Sequence, residues 1–201
     1  MGIVSSGFRG RRKRDVPGLP PGQYVTEDFP VLSAGPTPRI DPREWTFSFT
    51  GAGARRLWDW NGFLSLPHEH VTVDIHCVTS WSKLGTRWRG VPVDALFDGT
   101  DGASVSAREG FALFHSYGGY TTNLPLTDVL DGKAWLVHEF EGGPLAPEHG
   151  GPVRLLVPHL YLWKSAKWVD GLELVDRDIP GFWESRGYHM HGDPWTEERY
   201  G

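Results

Sequence analysis

Glycine and proline interrupt this chain at short intervals, 26 and 16 times in 201 residues, and leave little room for long helices. Such punctuation predicts many turns and many short elements instead of a helical bundle. Between the turn residues the apolar spacing is mostly that of strands. Trp45, Phe47 and Phe49 alternate with Thr46, Ser48 and Thr50. Val71, Val73 and Ile75 alternate with Thr72, Asp74 and His76. Phe111–His115, Ala134–Phe140, Val153–Val157 and Trp168–Val175 add four further strands. Val91–Phe97, with Pro92 in its first turn, and Leu124–Gly132, with Pro125 at its start, read as helices of about two turns. Val78–Gly85 reads as a loop. The expected class is α+β, mainly β, with mixed sheets and short helices at their edges.

Prolines 17, 20, 21, 30, 36 and 38 break any periodicity before about residue 40, so this stretch is expected to drape over the core. Residues 1–22 read as a flexible basic and Pro/Gly-rich arm, and residues 23–201 as one domain. Ten tryptophans and 39% hydrophobic residues supply a substantial core. A net charge of -5 argues against a general nucleic-acid surface. No apolar run approaches membrane-spanning length. Arg11-Arg12 is followed by Asp15-Val-Pro-Gly-Leu-Pro-Pro-Gly22, not by the apolar segment of an export signal, so a cytoplasmic, monomeric protein is expected.

The single cysteine, Cys77, rules out an intrachain disulfide and any multi-cysteine zinc or iron–sulfur site. It stands where the strand ending at His76 meets a loop, a place suited to a soft metal ligand or a nucleophile and equally to packing. No His-Glu-x-x-His or comparable metal motif occurs. Leu160-Tyr-Leu-Trp-Lys-Ser-Ala-Lys-Trp168 lies between two strands and sets Lys164, Ser165 and Lys167 among aromatics. Two ammonium groups, a hydroxyl and loop amides are what an anionic group needs. Arg154 could add a bidentate donor or be an exposed charge.

Three segments together resemble the molybdopterin-binding domain of the sulfite-oxidase family. They are His76-Cys77 through Phe97, Gly119-Tyr-Thr-Thr-Asn-Leu-Pro-Leu126, and Gly143–Pro158 running into Trp163–Trp168. Gly181-Phe-Trp-Glu-Ser-Arg-Gly-Tyr188 is similar to the family's closing segment, and the likeness spans roughly residues 24–190. The resemblance implies a sulfite-oxidase-type fold and a molybdenum ion held by the dithiolene of one pyranopterin and one protein thiolate, which Cys77 matches. It puts Lys164, Ser165 and Lys167 at the pterin phosphate, and His76, Asn123 and Arg154 near the pterin. Phe29–Gly35 is similar to the N-terminal stretch that lines the cofactor.

The sulfite-oxidising branch carries an arginine after its cysteine, and this chain has Val78-Thr-Ser-Trp-Ser-Lys-Leu-Gly85 there. The Cys-Val-x-x-Trp-Ser form is instead similar to the periplasmic enzyme that reduces protein methionine sulfoxide. The expected function is therefore two-electron oxo transfer, as reduction of a small or peptidic sulfoxide or N-oxide, with Trp81 as an apolar wall for the substrate. A separate electron-transfer protein is expected as partner. The alternatives are sulfite oxidation at the same centre, a cofactor-free enzyme using Cys77 with His76, and a non-catalytic binding module. Neighbouring strand residues point to opposite faces, which places the Cys77–His76 pair badly for proton transfer.

Overall fold

The computed structural model describes residues 17–51, 53–97 and 110–201. The basic stretch Gly7–Arg14 lies outside the described residues. The strands are β1 (Tyr24–Val25), β2 (Thr46–Gly51), β3 (Ala54–Asp59), β4 (Glu69–His76), β5 (Trp81–Pro92), β6 (Phe111–Ser116), β7 (Thr121–Pro125), β8 (Trp135–Phe140), β9 (Gly143–Pro144), β10 (Arg154–Leu156) and β11 (Val169–Val175). A single α-helix among the described residues, α1 (Trp60–Ser65), starts where Asp59 accepts from the Gly62 amide at 2.7 Å. The architecture is mainly β, as expected.

One sheet runs β1-β5-β8-β10, with β4 added to β5 and β9 to β8. The other runs β3-β2-β11-β6-β7, with β2 and β11 parallel. Both sheets are therefore mixed. The larger core cluster joins Phe47 and Phe49 of β2, Phe114 of β6 and Leu172 of β11 to Leu136 of β8 and Leu155 of β10. A smaller cluster gathers Ile75, Cys77, Trp81, Trp88, Trp135 and Leu156. Cys77 thus sits on a packed aromatic floor.

Two expectations need correction. Val78–Gly85 is a loop only as far as Ser80; from Trp81 it belongs to the 12-residue β5. Polar Ser82 and Thr86 are buried there because each finds a partner. Ser82 Oγ meets His76 Nδ1 at 2.8 Å, and the Thr86 hydroxyl donates to the Val73 carbonyl at 2.5 Å. The two expected helices are 3₁₀ turns, Val93–Phe97 and Leu126–Asp128. Their prolines end the preceding strands instead of opening helices. Leu19, in the stretch before residue 23, is buried, as is Gln23.

No helix among the described residues is long and apolar enough to cross a membrane.

Candidate active site

A cavity of about 710 Å³ opens between the end of β4, the loop Leu162–Trp168, the segment Phe29–Pro38 and the closing stretch Phe182–Tyr188. That volume suits a cofactor-sized ligand. Cys77 lies on its wall, in the tight turn that joins β4 to β5. Within that turn the Ser80 amide donates to the Cys77 carbonyl at 2.9 Å, and Ser80 takes a left-handed φ of 77°. The Gln23 amide adds a second donor to the same carbonyl at 3.1 Å. The sulfur meets the Thr79 hydroxyl at 3.1 Å, and the Thr79 backbone also bonds to it. Burial pushes the thiol pKa up, against the smaller pull of Thr79, Arg199 and Lys167. A bound cation would reverse that balance.

Arg154 is 2% exposed and reaches the cavity from β10. Its guanidinium donates to the carbonyls of His149 and Ser165, both at 2.9 Å, and lies near the rings of Trp88 and Phe29. None of these partners is a carboxylate. Burial lowers its pKa to about 10. Lys167 stands beside it and donates to the Leu32 and Glu148 carbonyls at 2.9 and 2.7 Å. Burial first, and then the Arg154 charge, lowers the Lys167 pKa to about 8. Gly150 lets the two side chains come together, since a Cβ there would meet the Cβ atoms of Arg154 and Lys167 at 3.0 Å. Its φ of 110° also favours glycine.

Arg154 and Lys167 are cations, and no aspartate or glutamate is among the described residues that wall the cavity. The Trp81 indole Nε1 is buried on the same wall with no hydrogen-bond partner among the described residues. Two cations without an ion-pair partner among the described residues, an idle buried donor and a thiol fit an anionic cofactor that carries a soft metal.

Of the residues singled out in the sequence, Cys77, Trp81, Arg154, Ser165 and Lys167 converge on this cavity. His76, Asn123 and Lys164 do not wall it. The His76 ring is held by Ser82 and forms no hydrogen bond to the Cys77 sulfur, so the two make no catalytic dyad. Asn123 donates to Asp178 at 2.6 Å. Lys164 is fully buried and ion-pairs with Glu184 at 2.7 Å. It also donates to the Asn123 carbonyl and side-chain oxygen and to the Met190 carbonyl. Its ammonium has no donor left for a phosphate.

Thr79, Tyr120 and Tyr188 also wall the cavity and were not singled out in the sequence. Tyr188 stood in the closing segment, but nothing marked its hydroxyl. Burial raises its pKa, with smaller contributions from Tyr200 and Cys77, so the phenol keeps its proton.

The affinity of the cavity for anions should fall with rising pH. Below about pH 8 Lys167 is charged and aids Arg154, and above it the second charge is lost. Inorganic pyrophosphate binding to cofactor-free protein, followed by calorimetry, should weaken about tenfold from about pH 7 to about pH 9. Binding near pH 8 should take up a proton. In Lys167→Met the pH dependence should flatten. An equal fall in the variant would reject Lys167 as the titrating group.

Comparisons with known proteins point to one family and its cofactor. A family model described as an oxidoreductase molybdopterin binding domain matches residues 34–183. The chain is 41% identical over 196 residues to the uncharacterized oxidoreductase YuiH of Bacillus subtilis, covering 96% of this chain and 98% of that protein. It is 25% identical over 177 residues to a putative protein-methionine-sulfoxide reductase subunit, YedZ1, of Azospira oryzae, covering 86% of this chain and 66% of the relative. Mitochondrial sulfite oxidase of Mus musculus is 26% identical over 203 residues, which cover 84% of this chain and 37% of the mouse protein. This chain therefore matches little more than a third of the mouse enzyme's length. The sulfane dehydrogenase SoxCD of Paracoccus pantotrophus shares the fold with a TM-score of 0.61 at 18% identity, over 70% of this chain and 40% of that one.

Proposed function

The chain belongs to the oxidoreductase molybdopterin binding domain family, and from that premise we propose that it reduces a neutral sulfoxide or N-oxide at a molybdenum centre ligated by Cys77. The observation that carries this reading is the wall beside Cys77. Val78, Trp81, Trp183 and Tyr188 make it apolar and aromatic, and the two cavity cations, Arg154 and Lys167, stand together on the side where the cofactor's phosphate would lie. A neutral oxide suits such a wall better than sulfite does. The Azospira relative, named for methionine-sulfoxide reduction, supports the same substrate class.

The bound molybdenum–pterin group supplies two-electron oxo transfer. The chain's own residues do the rest. Arg154 and Lys167 would hold the anionic end of the cofactor, and the unpartnered Trp81 Nε1 would offer a donor on the Cys77 side of the cavity. Ser165 Oγ, which accepts from the Val157 amide at 2.9 Å, fixes the loop that carries Lys167. Tyr188 forms no hydrogen bond through its hydroxyl among the described residues and would hold one of the two protons that the oxide's oxygen needs to become water, solvent supplying the second and reprotonating the phenol. The electrons come from a separate donor protein. A cytoplasmic, monomeric state belongs to the same proposal.

Steady-state assays on molybdenum-replete protein test it. An artificial reductant should support reduction of sulfoxides or N-oxides, and sulfite should reduce an artificial acceptor poorly. Efficient saturable sulfite turnover with no oxide reduction would move the chain to the sulfite-oxidising reading, which Arg154 and Lys167 would then serve as anion-binding groups.

A further inference from the structure

The turn that presents Cys77 is held from both ends of the described chain. Gln23 reaches the Cys77 carbonyl from the N-terminal side, and Arg199 donates from Nη1 to the next carbonyl, that of Val78. The Arg199 guanidinium lies 5.1 Å from the centre of the Tyr161 ring, and its side chain is 18% exposed. Tyr161 in turn bridges to His76, the last residue of β4, so the ring under Arg199 belongs to a residue paired with the strand end that enters the cysteine turn. The guanidinium's carboxylate neighbour is Glu197 at 3.7 Å, which is 52% exposed. Water screens such a carboxylate and leaves the arginine charge largely uncancelled on its buried side.

We propose that Arg199 is a positioning residue of the active site, which clamps the cysteine turn from behind the cavity wall and sets a permanent positive charge beside the ligating sulfur. The proposal rests on the reading that Cys77 holds the metal. Arg199 lies beyond residues 34–183 matched by the family model, so it is a feature of this chain's C-terminal stretch. Arginine keeps its charge at all working pH values, so its field on the sulfur is constant. The charges of Arg199 and Lys167 both act on the thiol, Arg199 more strongly. Lys167 acts from the cavity wall and Arg199 from behind it.

A fixed positive charge near a metal favours its more electron-rich state. In cofactor-loaded protein, a redox titration followed by molybdenum EPR should therefore give a more negative midpoint potential for Arg199→Gln than for wild type. Arg199→Lys should stay near wild type. Glu197→Gln removes the partial countercharge and should move the potential the other way. In cofactor-free Arg199→Gln, the Ser80 amide, which closes the cysteine turn, should exchange hydrogen faster than in wild type.

Unchanged potentials in both Arg199→Gln and Glu197→Gln, at full cofactor content, would overturn the proposal. Should Arg199→Gln fail to fold, the sign of the Glu197→Gln shift decides. Failure of the metal reading looks different. A loaded wild-type protein whose spectrum does not respond to Cys77→Ser would refute ligation, while Ser80 exchange would still report whether Arg199 holds the turn.

Discussion

Cys77→Ser is expected to lose essentially all oxo-transfer turnover while the protein keeps its fold. Serine is close in size to cysteine, the site is 6% exposed, and the polar partner of the sulfur is Thr79, whose hydroxyl at 3.1 Å a serine hydroxyl also satisfies. Packing is therefore nearly conserved. The chemistry is not, because a hard alkoxide replaces a soft thiolate. A hydroxyl also gives up its proton far less readily than a thiol, and the apolar floor of Ile75, Trp81 and Trp88 offers it no base. Groups one step removed from a metal typically cost about 10–100-fold when changed, and a direct ligand should cost more. The measurement is rate per bound molybdenum, read with the visible spectrum and the pterin released on denaturation. A metal-loaded variant with an unaltered spectrum and rate would show that the sulfur is a packing group.

How far the sequence reached depends on what each residue had to do. Strands with clean alternation, such as β2 and β4, were legible because one face meets the core and the other does not. The start of β5 was not. Trp81-Ser-Lys-Leu-Gly85 looks polar and broken, yet this strand pairs with β1, β4 and β8, and buried hydroxyls replace apolar side chains along it. The segment β3–α1 had no clear period and became visible only through pairing with β2. At the site, resemblance pointed to Cys77 and to the Lys164–Lys167 loop. It could not say which side chains of that loop face the cavity, because a 3₁₀ turn at Leu162–Lys164 sends successive residues in different directions. Arg199 was invisible for another reason. It is an isolated arginine in a polar tail, and only the tertiary fold brings it to Val78.

The two lysines of that loop should respond in opposite ways. Lys164→Met is expected to destabilise the fold by about 3–5 kcal/mol, a large part of the 5–15 kcal/mol that holds a typical domain. Lys164 and Glu184 are both fully buried in their side chains and form the ion pair at 2.7 Å. Burial pulls the ammonium pKa down, and Glu184 opposes that pull. With the lysine gone, the Glu184 carboxylate keeps the Trp163 indole donor at 2.9 Å, while its second oxygen is already buried without a partner. An uncompensated buried charge is what makes the single change severe. The Asn123 and Met190 carbonyls that Lys164 ties together would also lose their donor, loosening β7 from the C-terminal stretch. Adding Glu184→Gln to Lys164→Met should recover part of the loss, since a neutral amide removes the orphaned charge. Lys167→Met breaks no ion pair and frees only two carbonyls near the surface, so its midpoint in urea should stay near wild type while cofactor content falls. Denaturant melts of cofactor-free proteins separate the cases, because bound cofactor would add its own stabilisation. Equal stability of Lys164→Met and wild type, with loss of cofactor, would return Lys164 to the phosphate-binding role.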